Sequence, residues 1–226
     1  MEFVNTSDGS KTLFQEKVGE HYHSKHGAVV ESKHVFLTAG LQYYIDRSQK
    51  DEVSVLEVGF GTGLNFLIAA DWCTQSAIKL NYVGVETEPL PLALLRQSGY
   101  NAYVADRIWD GFLADYQRAL SEAVQLDDLV RYRVAYNPIL AYAESEKFDV
   151  VFFDAFAEIH QPEMWSMETL AHVADLLNPG GVFVTYAITG NLKRAMRSLG
   201  FAIEKVPGAP GKREMLRAVK RAVDET

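Results

Sequence analysis

The stretch Glu57-Val-Gly-Phe-Gly-Thr-Gly-Leu-Asn65 constrains this chain more than any other. It overlaps the apolar run Val53-Ser-Val-Leu-Glu-Val58, which reads as a buried strand, and leads into Leu64 to Trp72, which reads as a helix. A backbone that turns from strand to helix over a ligand needs positions without a Cβ, so that it can take positive φ and let the ligand come close. Gly59, Gly61 and Gly63 supply such positions. A sheet opened in this way is built from alternating strands and helices, with its ligands at the carboxyl ends of the strands.

The rest of the sequence keeps that alternation. Strands are predicted at Leu80 to Glu86, Arg131 to Tyr136, Phe148 to Asp154 and Val182 to Ala187, and a closing hairpin at Phe201 to Val206 and Glu214 to Val219. A helix is predicted from Pro162 to Leu177, stopped by Asn178-Pro-Gly-Gly181, and another from Asn191 to Leu199, ended by Gly200. The fold class is α/β, a Rossmann-like arrangement with a mainly parallel sheet and helices on both faces. Two stretches stand outside the repeat. Residues 1–50 hold a short alternating segment, a His-rich turn at His21 to His26 and a helix from about Glu31 to Arg47, and are expected to form an N-terminal cap. Residues 87–130 are expected to be a helical insertion after the second strand. The expected division is a cap over 1–50 and a catalytic part over 51–226, together one compact domain.

Composition narrows the function classes. No apolar run approaches the roughly 18 residues of a membrane span, and Met1-Glu-Phe-Val-Asn5 lacks the layout of a signal peptide, so a cytoplasmic location without membrane partners is expected. Cys73 is the only cysteine, which leaves no internal disulfide and no cysteine-based zinc site; it is expected to be a buried apolar group. The formal charge of −8 argues against a general nucleic-acid coat. Nine Lys or Arg against four acids from Ala187 to Thr226 give a net of +5, however, and leave −13 on the remainder. That basic segment is either a phosphate-facing patch or a solvated helix face.

The acids around the turn point to the ligand. Glu86 ends the second strand, where a carboxylate accepts hydrogen bonds from ribose hydroxyls. The glycines stand at alternate positions with Glu57 two residues ahead of them, a spacing that resembles the adenosylmethionine motif; a dinucleotide site such as one for NAD favours a third glycine three residues after the second. A P-loop is excluded because no Gly-Lys-Ser/Thr follows. Asp154 closes the most apolar strand at the ligand end of the sheet, and Phe156, Pro162 and Trp165 after it can wall a flat ring, with Phe156 the candidate for base stacking. Lys212 and Arg213 lie in a Pro-Gly loop, as a phosphate contact or as an exposed turn.

Four stretches in order carry a more specific resemblance. Tyr22-His-Ser-Lys-His-Gly27 with Glu31 and Val35-Phe36, Val58 to Leu67, Phe148 to Ala157 with Pro162 and Trp165, and Gly211-Lys-Arg-Glu-Met215 together resemble the MnmC-type methyltransferase family over roughly residues 20–216. The resemblance implies a methyltransferase fold binding S-adenosyl-L-methionine through Glu57, Gly59, Phe60, Gly61, Gly63, Asn65 and Glu86. It implies N-methylation of 5-aminomethyl-2-thiouridine at the wobble position of tRNA, hence an anticodon-region partner, with Tyr22 and His23 as pocket contacts. Members are often fused to a flavin-dependent oxidase, and this sequence is expected to hold the methyl-transfer half. Many relatives carry Gly-Asp at the end of the third strand, near the adenine, where this chain has Tyr136-Asn137-Pro138, so Asn137 takes that place. Asp154 is the expected catalytic residue, orienting the amine rather than deprotonating it, because a carboxylate with pKa about 4 is a poor base for an amine unless burial raises it.

Other readings remain. His21, His23, His26 and His34 could gather on a metal, but neither a cysteine nor a matched Asp supports this, and no metal is expected. The same fold could serve methyl or aminopropyl transfer to a small-molecule or protein amine, or bind adenosylmethionine without turnover.

Overall fold

A computed structural model describes residues 1–222; the last four residues of the basic segment, 223–226, lie outside the described residues. The chain opens with β1 (Phe3–Asn5), β2 (Lys11–Gln15) and β3 (Glu20–His21), a small antiparallel sheet. A continuous helical segment follows, made of α1 (Ala28–Glu31), a π-helical run (Ser32–Gln42) and α2 (Tyr43–Ser48). Then come β4 (Glu52–Val58), α3 (Leu64–Gln75), β5 (Lys79–Glu86), α4 (Leu92–Leu95), α5 (Asp106–Ala119), β6 (Val124–Gln125) and β7 (Val130–Tyr136). The remaining elements are β8 (Phe148–Phe153), α6 (Met167–Asp175), β9 (Leu177–Thr185), α7 (Gly190–Ser198), β10 (Phe201–Pro207) and β11 (Glu214–Lys220).

Among the described residues the main sheet runs β10-β11-β9-β8-β4-β5-β7-β6, parallel from β9 to β7 and antiparallel at both edges. Every residue of β8 is buried, because helices cover both faces of the sheet and a strand so placed has no polar side. Val150 and Phe152 pack with α3, α5 and the π-helical run, whereas Val151 and Phe153 pack with α6 and α7. The chain winds outward from β4 through β5 to β7 and then returns to place β8 on the other flank of β4. That reversal opens a crevice between the carboxyl ends of β4 and β8, and both the glycine turn and Asp154 lie there. Side-chain caps fix the helices on the β8 flank: Ser166 accepts from the Thr169 N–H at the start of α6, and Thr189 from the Leu192 N–H at the start of α7. No helix among the described residues is long and apolar enough to cross a membrane. Cys73 is buried in α3, where burial pushes its thiol up to about 12 and makes it an apolar filler.

The structure departs from the sequence reading in three places. The segment expected as an α-helix from Glu31 to Arg47 is helical, but its middle is π-wound; Val35, Phe36, Leu37, Ala39, Gly40 and Leu41 are all buried, so no amphipathic stripe imposes the 3.6-residue period. The run Asn178-Pro-Gly-Gly181, expected to stop a helix, lies inside β9. Phe148 pairs with Leu177 and Val150 with Val182, so these four residues bulge between two paired registers. The insertion 87–130 contains helices, as its periodicity suggested, and also β6, which pairs with β7.

Candidate functional site

Backbone contact builds the crevice. Gly59 leaves β4 at φ +90°, and a Cβ on it would stand 2.6 Å from the Asp154 carbonyl oxygen; Gly61 has φ +51°, and a Cβ there would stand 2.6 Å from the Tyr22 ring. The turn, the end of β8 and the N-terminal segment meet only because those two positions carry no side chain. Gly63 stands one step back as the residue preceding α3. The cavity they enclose is about 350 Å³ and is walled by Tyr22, His23, Phe60, Glu86, Asn137, Asp154 and Phe156 among others. A small-molecule cofactor fits such a volume.

Its acids are in different states. Glu86 accepts from the N–H groups of Gly61 (2.9 Å), Thr87 (2.8 Å) and Glu88 (2.9 Å), so a half-exposed carboxylate at the cavity rim also holds the glycine turn. Glu57 lies behind the turn and off the cavity lining, accepting from the Tyr82 hydroxyl (2.7 Å) and the Asn65 amide (2.8 Å). Burial first, then the neighbouring Asp154 charge, raise its pKa well above the ordinary carboxylate value. Asn65 gives its second amide hydrogen to Asp154 Oδ2 (2.8 Å) and accepts from the Ser32 hydroxyl (2.6 Å), which fixes the orientation of the amide. Asn65 therefore clamps two buried carboxyl groups and does not line the cavity.

Asp154 follows β8 directly, with its N–H on the Val58 carbonyl (2.9 Å). Its side chain is 7% exposed and faces the cavity. Burial, then repulsion by Glu31, push it up to about 8 against the pull of Asn65 and Lys212. Raised this far, the carboxyl is a stronger base in its ionised form than an ordinary carboxylate. His23 is buried beside it, with Nδ1 at 3.9 Å from Asp154 Oδ2 and Nε2 paired with the Thr62 hydroxyl (3.0 Å). The rings of Tyr22 and Phe156 meet edge to face at 5.1 Å on the same wall.

Three of the expected contacts do not line the cavity. Trp165 is buried away from the cavity, donating from Nε1 to the Phe156 carbonyl (2.8 Å), and so supports the loop that carries Phe156. Lys212 turns inward, with Nζ 3.3 Å from Glu31 Oε2 and 3.7 Å from the centre of the Tyr186 ring. Arg213 is exposed in the hairpin loop, off the cavity lining. The four histidines are spread out: His21 packs on Phe14, His26 on Gly211, and His34 bonds the Pro207 carbonyl (2.7 Å). The described residues contain no group of three or more His, Cys, Asp or Glu placed to hold a metal.

Sequence reasoning missed several neighbours. Gln15, Lys17 and Val18 of the β2–β3 hairpin line the cavity, and Glu20 accepts from the Ala157 N–H (2.8 Å), yet a short hairpin carries no motif that would announce them. Glu31 lay within the resembling N-terminal stretch and sits 4% exposed beside the site. Tyr186, whose hydroxyl donates to the Ala155 carbonyl (2.9 Å), gave no signal beyond its place after β9.

Comparison with known proteins bears on this arrangement. Residues 105–221 match the model of a family described as S-adenosyl-L-methionine-dependent methyltransferase. The chain is 32% identical over 212 residues to the tRNA 5-methylaminomethyl-2-thiouridine biosynthesis bifunctional protein MnmC of Magnetococcus marinus, covering 88% of this chain and 31% of that protein. It is 31% identical to the protein of the same name from Aromatoleum aromaticum, covering 96% of this chain and 35% of the relative. It thus spans about a third of the length of these relatives. Among solved structures, MnmC2 from Aquifex aeolicus superposes with a TM-score of 0.79 at 22% identity, over 98% of this chain and 70% of that one. A putative class I S-adenosylmethionine-dependent methyltransferase from Listeria monocytogenes superposes with a TM-score of 0.55 at 16% identity, over 95% of this chain and 64% of that one.

Proposed function

Because the chain belongs to the S-adenosyl-L-methionine-dependent methyltransferase family, we propose that it methylates the exocyclic amine of 5-aminomethyl-2-thiouridine at the wobble position of tRNA, giving 5-methylaminomethyl-2-thiouridine. The observation that carries this reading is the buried carboxyl of Asp154, facing the cavity across from the glycine turn and Glu86. The residues fit the cofactor: Gly59 and Gly61 leave room for close approach, Phe60 and Asn137 wall the cavity, and Glu86 has lone pairs left for ribose hydroxyls. Glu57, Gly63 and Asn65 act from behind, holding the turn and Asp154. When bound, S-adenosyl-L-methionine supplies an electrophilic methyl group on a sulfonium centre.

The chain's own residues handle the amine. A primary ammonium has no lone pair, and its ordinary pKa is about 10, so it has to lose a proton before it can attack. Asp154 receives that proton: the N–H bond breaks with its electrons left on nitrogen, and an O–H bond forms on the carboxylate. A carboxyl pushed up to about 8 is far closer to the amine than one near 4, so proton transfer becomes the principal role of Asp154 and orientation accompanies it. Tyr22, His23 and Phe156 contact the acceptor base, while residues 1–50 act as a cap over the catalytic part 51–226. Arg213 remains the candidate phosphate contact, and Lys212 acts through Glu31 and Tyr186. A cytoplasmic location follows from a tRNA acceptor.

The test is incubation of the protein with undermodified tRNA and methyl-labelled cofactor, followed by nucleoside digestion. Label in 5-methylaminomethyl-2-thiouridine is expected. Label confined to protein or to a small amine would overturn the acceptor while leaving the family assignment untouched.

A further inference from the structure

We infer that His23 is a positioning residue for Asp154: Nδ1 of its ring carries a hydrogen and donates it to Asp154 Oδ2, leaving Oδ1 as the oxygen that takes the acceptor's proton. This rests on the proposed amine methylation and adds to it a residue for which the family resemblance supplied only a pocket contact.

His23 is 7% exposed, and its Nδ1 finds no hydrogen-bond partner among the described residues. A buried ring nitrogen left without a partner is destabilising and calls for an explanation. The nitrogen faces Asp154 Oδ2 at 3.9 Å, roughly 1 Å beyond a hydrogen bond, a gap that small side-chain rotations close. The far side of the ring sets the tautomer. The single hydrogen of the Tyr100 hydroxyl is shared between the Lys11 carbonyl (3.0 Å) and Thr62 Oγ1 (3.3 Å), an arrangement that lets the Thr62 hydroxyl donate to His23 Nε2 at 3.0 Å; in the tautomer proposed here the ring hydrogen is on Nδ1. Burial depresses the ring to about 4, so it is neutral and carries one hydrogen.

Both donors then converge on one oxygen. Asn65 donates to Oδ2 at 2.8 Å, and His23 approaches the same atom. With Oδ2 so occupied, the carboxyl cannot rotate freely, and the acceptor's proton goes to Oδ1, on which no hydrogen bond is made among the described residues. Protonated or not, the carboxyl keeps Oδ2 as an acceptor, so His23 serves both states without moving a proton of its own. The charged groups around the pair are Glu31 of α1, Glu20 of β3 and Lys212 of the β10–β11 loop, with the buried Glu57 of β4 and the Tyr186 hydroxyl beyond them. They tilt the titration of Asp154 by charge, whereas His23 acts by direction.

Two substitutions separate that role from packing. In His23→Asn an amide N–H stands near the place of Nδ1; in His23→Gln the amide stands near Nε2, keeping the Thr62 contact and losing the donor to Asp154. The expected result is a fall in kcat of about tenfold or more in His23→Gln, the worth of one hydrogen bond to a charged group, with the acidic limb of the kcat–pH profile moved upward. His23→Asn should recover most of both. Equal behaviour of the two variants, or an unmoved limb in His23→Gln, overturns the assignment. A direct readout needs no turnover: the carbon-13 NMR titration of the Asp154 carboxyl in the whole protein should rise in midpoint in His23→Gln and stay near wild type in His23→Asn. If the tRNA acceptor proves wrong, that titration still tests His23, and an unshifted midpoint overturns the inference on its own.

Discussion

β8 carries two aspartates, Asp149 near its start and Asp154 just past its end, and they live opposite lives. Their side chains are comparably buried, 12% and 7% exposed. Asp149 is saturated: Oδ1 accepts from Tyr44 (2.6 Å), Asn178 (3.3 Å) and Lys50 (3.5 Å), and Oδ2 from the N–H (3.0 Å) and hydroxyl (2.9 Å) of Ser54. Burial pushes its pKa up, but these donors outweigh it and the carboxyl titrates below its ordinary value. Asp154 has one close donor, Asn65, and a repelling Glu31, and it rises to about 8. Burial alone therefore does not mark a reactive acid. What distinguishes Asp154 is the shortage of donors, which leaves a carboxyl free to change its protonation state while Asp149 ties α2, β4 and β9 together.

The comparison breaks most sharply on Asp154→Asn. The variant keeps the contact with Asn65 and cannot accept a proton, so kcat should fall by about 10²–10⁴ while calorimetry finds cofactor affinity within a few fold of wild type. Activity within tenfold of wild type would mean that Asp154 is as structural as Asp149. The reciprocal change, Asp149→Ala, strands Ser54, Tyr44 and Lys50 and should cost about 2–4 kcal/mol in urea unfolding. Below its melting range that variant should keep kcat within a few fold; a large loss of turnover at full folding would make Asp149 part of the site.

How far the sequence announced this contrast depends on the grammar each residue obeys. The glycine turn, Glu86 and Asp154 were legible because strand, turn and helix follow one another locally, and the sheet rule then assigns the carboxyl ends of strands to ligands. Asn65 came with the motif, but its contact with Asp154 crosses 89 positions and could not be read. Lys212 looked like a surface cation because its loop is rich in Gly and Pro; its inward turn depends on Glu31, 181 residues earlier. Asp149 passed unnoticed inside an apolar run, since its partners come from α2, β4 and β9. Long-range satisfaction of polar groups separated the legible residues from the illegible ones.

Stability against pH sharpens the same contrast by sign. Asp154 is raised from the ordinary value of about 4 to about 8, so its folded state binds a proton that the unfolded state has lost across that window. Its contribution is fully present below about 4 and is lost as pH rises through 8. Asp154→Asn does not titrate, so in the cofactor-free protein it should become more stable than wild type by at least about 1 kcal/mol at pH 9, or about 2–4 °C in Tm, with the gap closing toward pH 4. The buried neutral His23 is common to both proteins and cancels in the difference. A gap that does not vary with pH would mean that Asp154 titrates normally.

The smallest effect tests the other end of the strand. Tyr44→Phe removes one of the donors to Asp149 and leaves Ser54, Lys50 and Asn178 in place, so the expected loss is about 1 kcal/mol at pH 7 with kcat unchanged. Asp149 is a depressed carboxyl, whose stabilisation is present above about 4 and lost as pH falls through its lower folded value. Without the tyrosine hydroxyl that folded value moves back toward the ordinary one, and the acid loss of stability should begin at a higher pH in the variant. The difference between the two proteins should therefore narrow once Asp149 is protonated in both. Urea unfolding from pH 7 down to 3 reads this directly, and a difference that stayed constant to pH 3 would assign the tyrosine's contribution to packing of its ring rather than to the charge it holds.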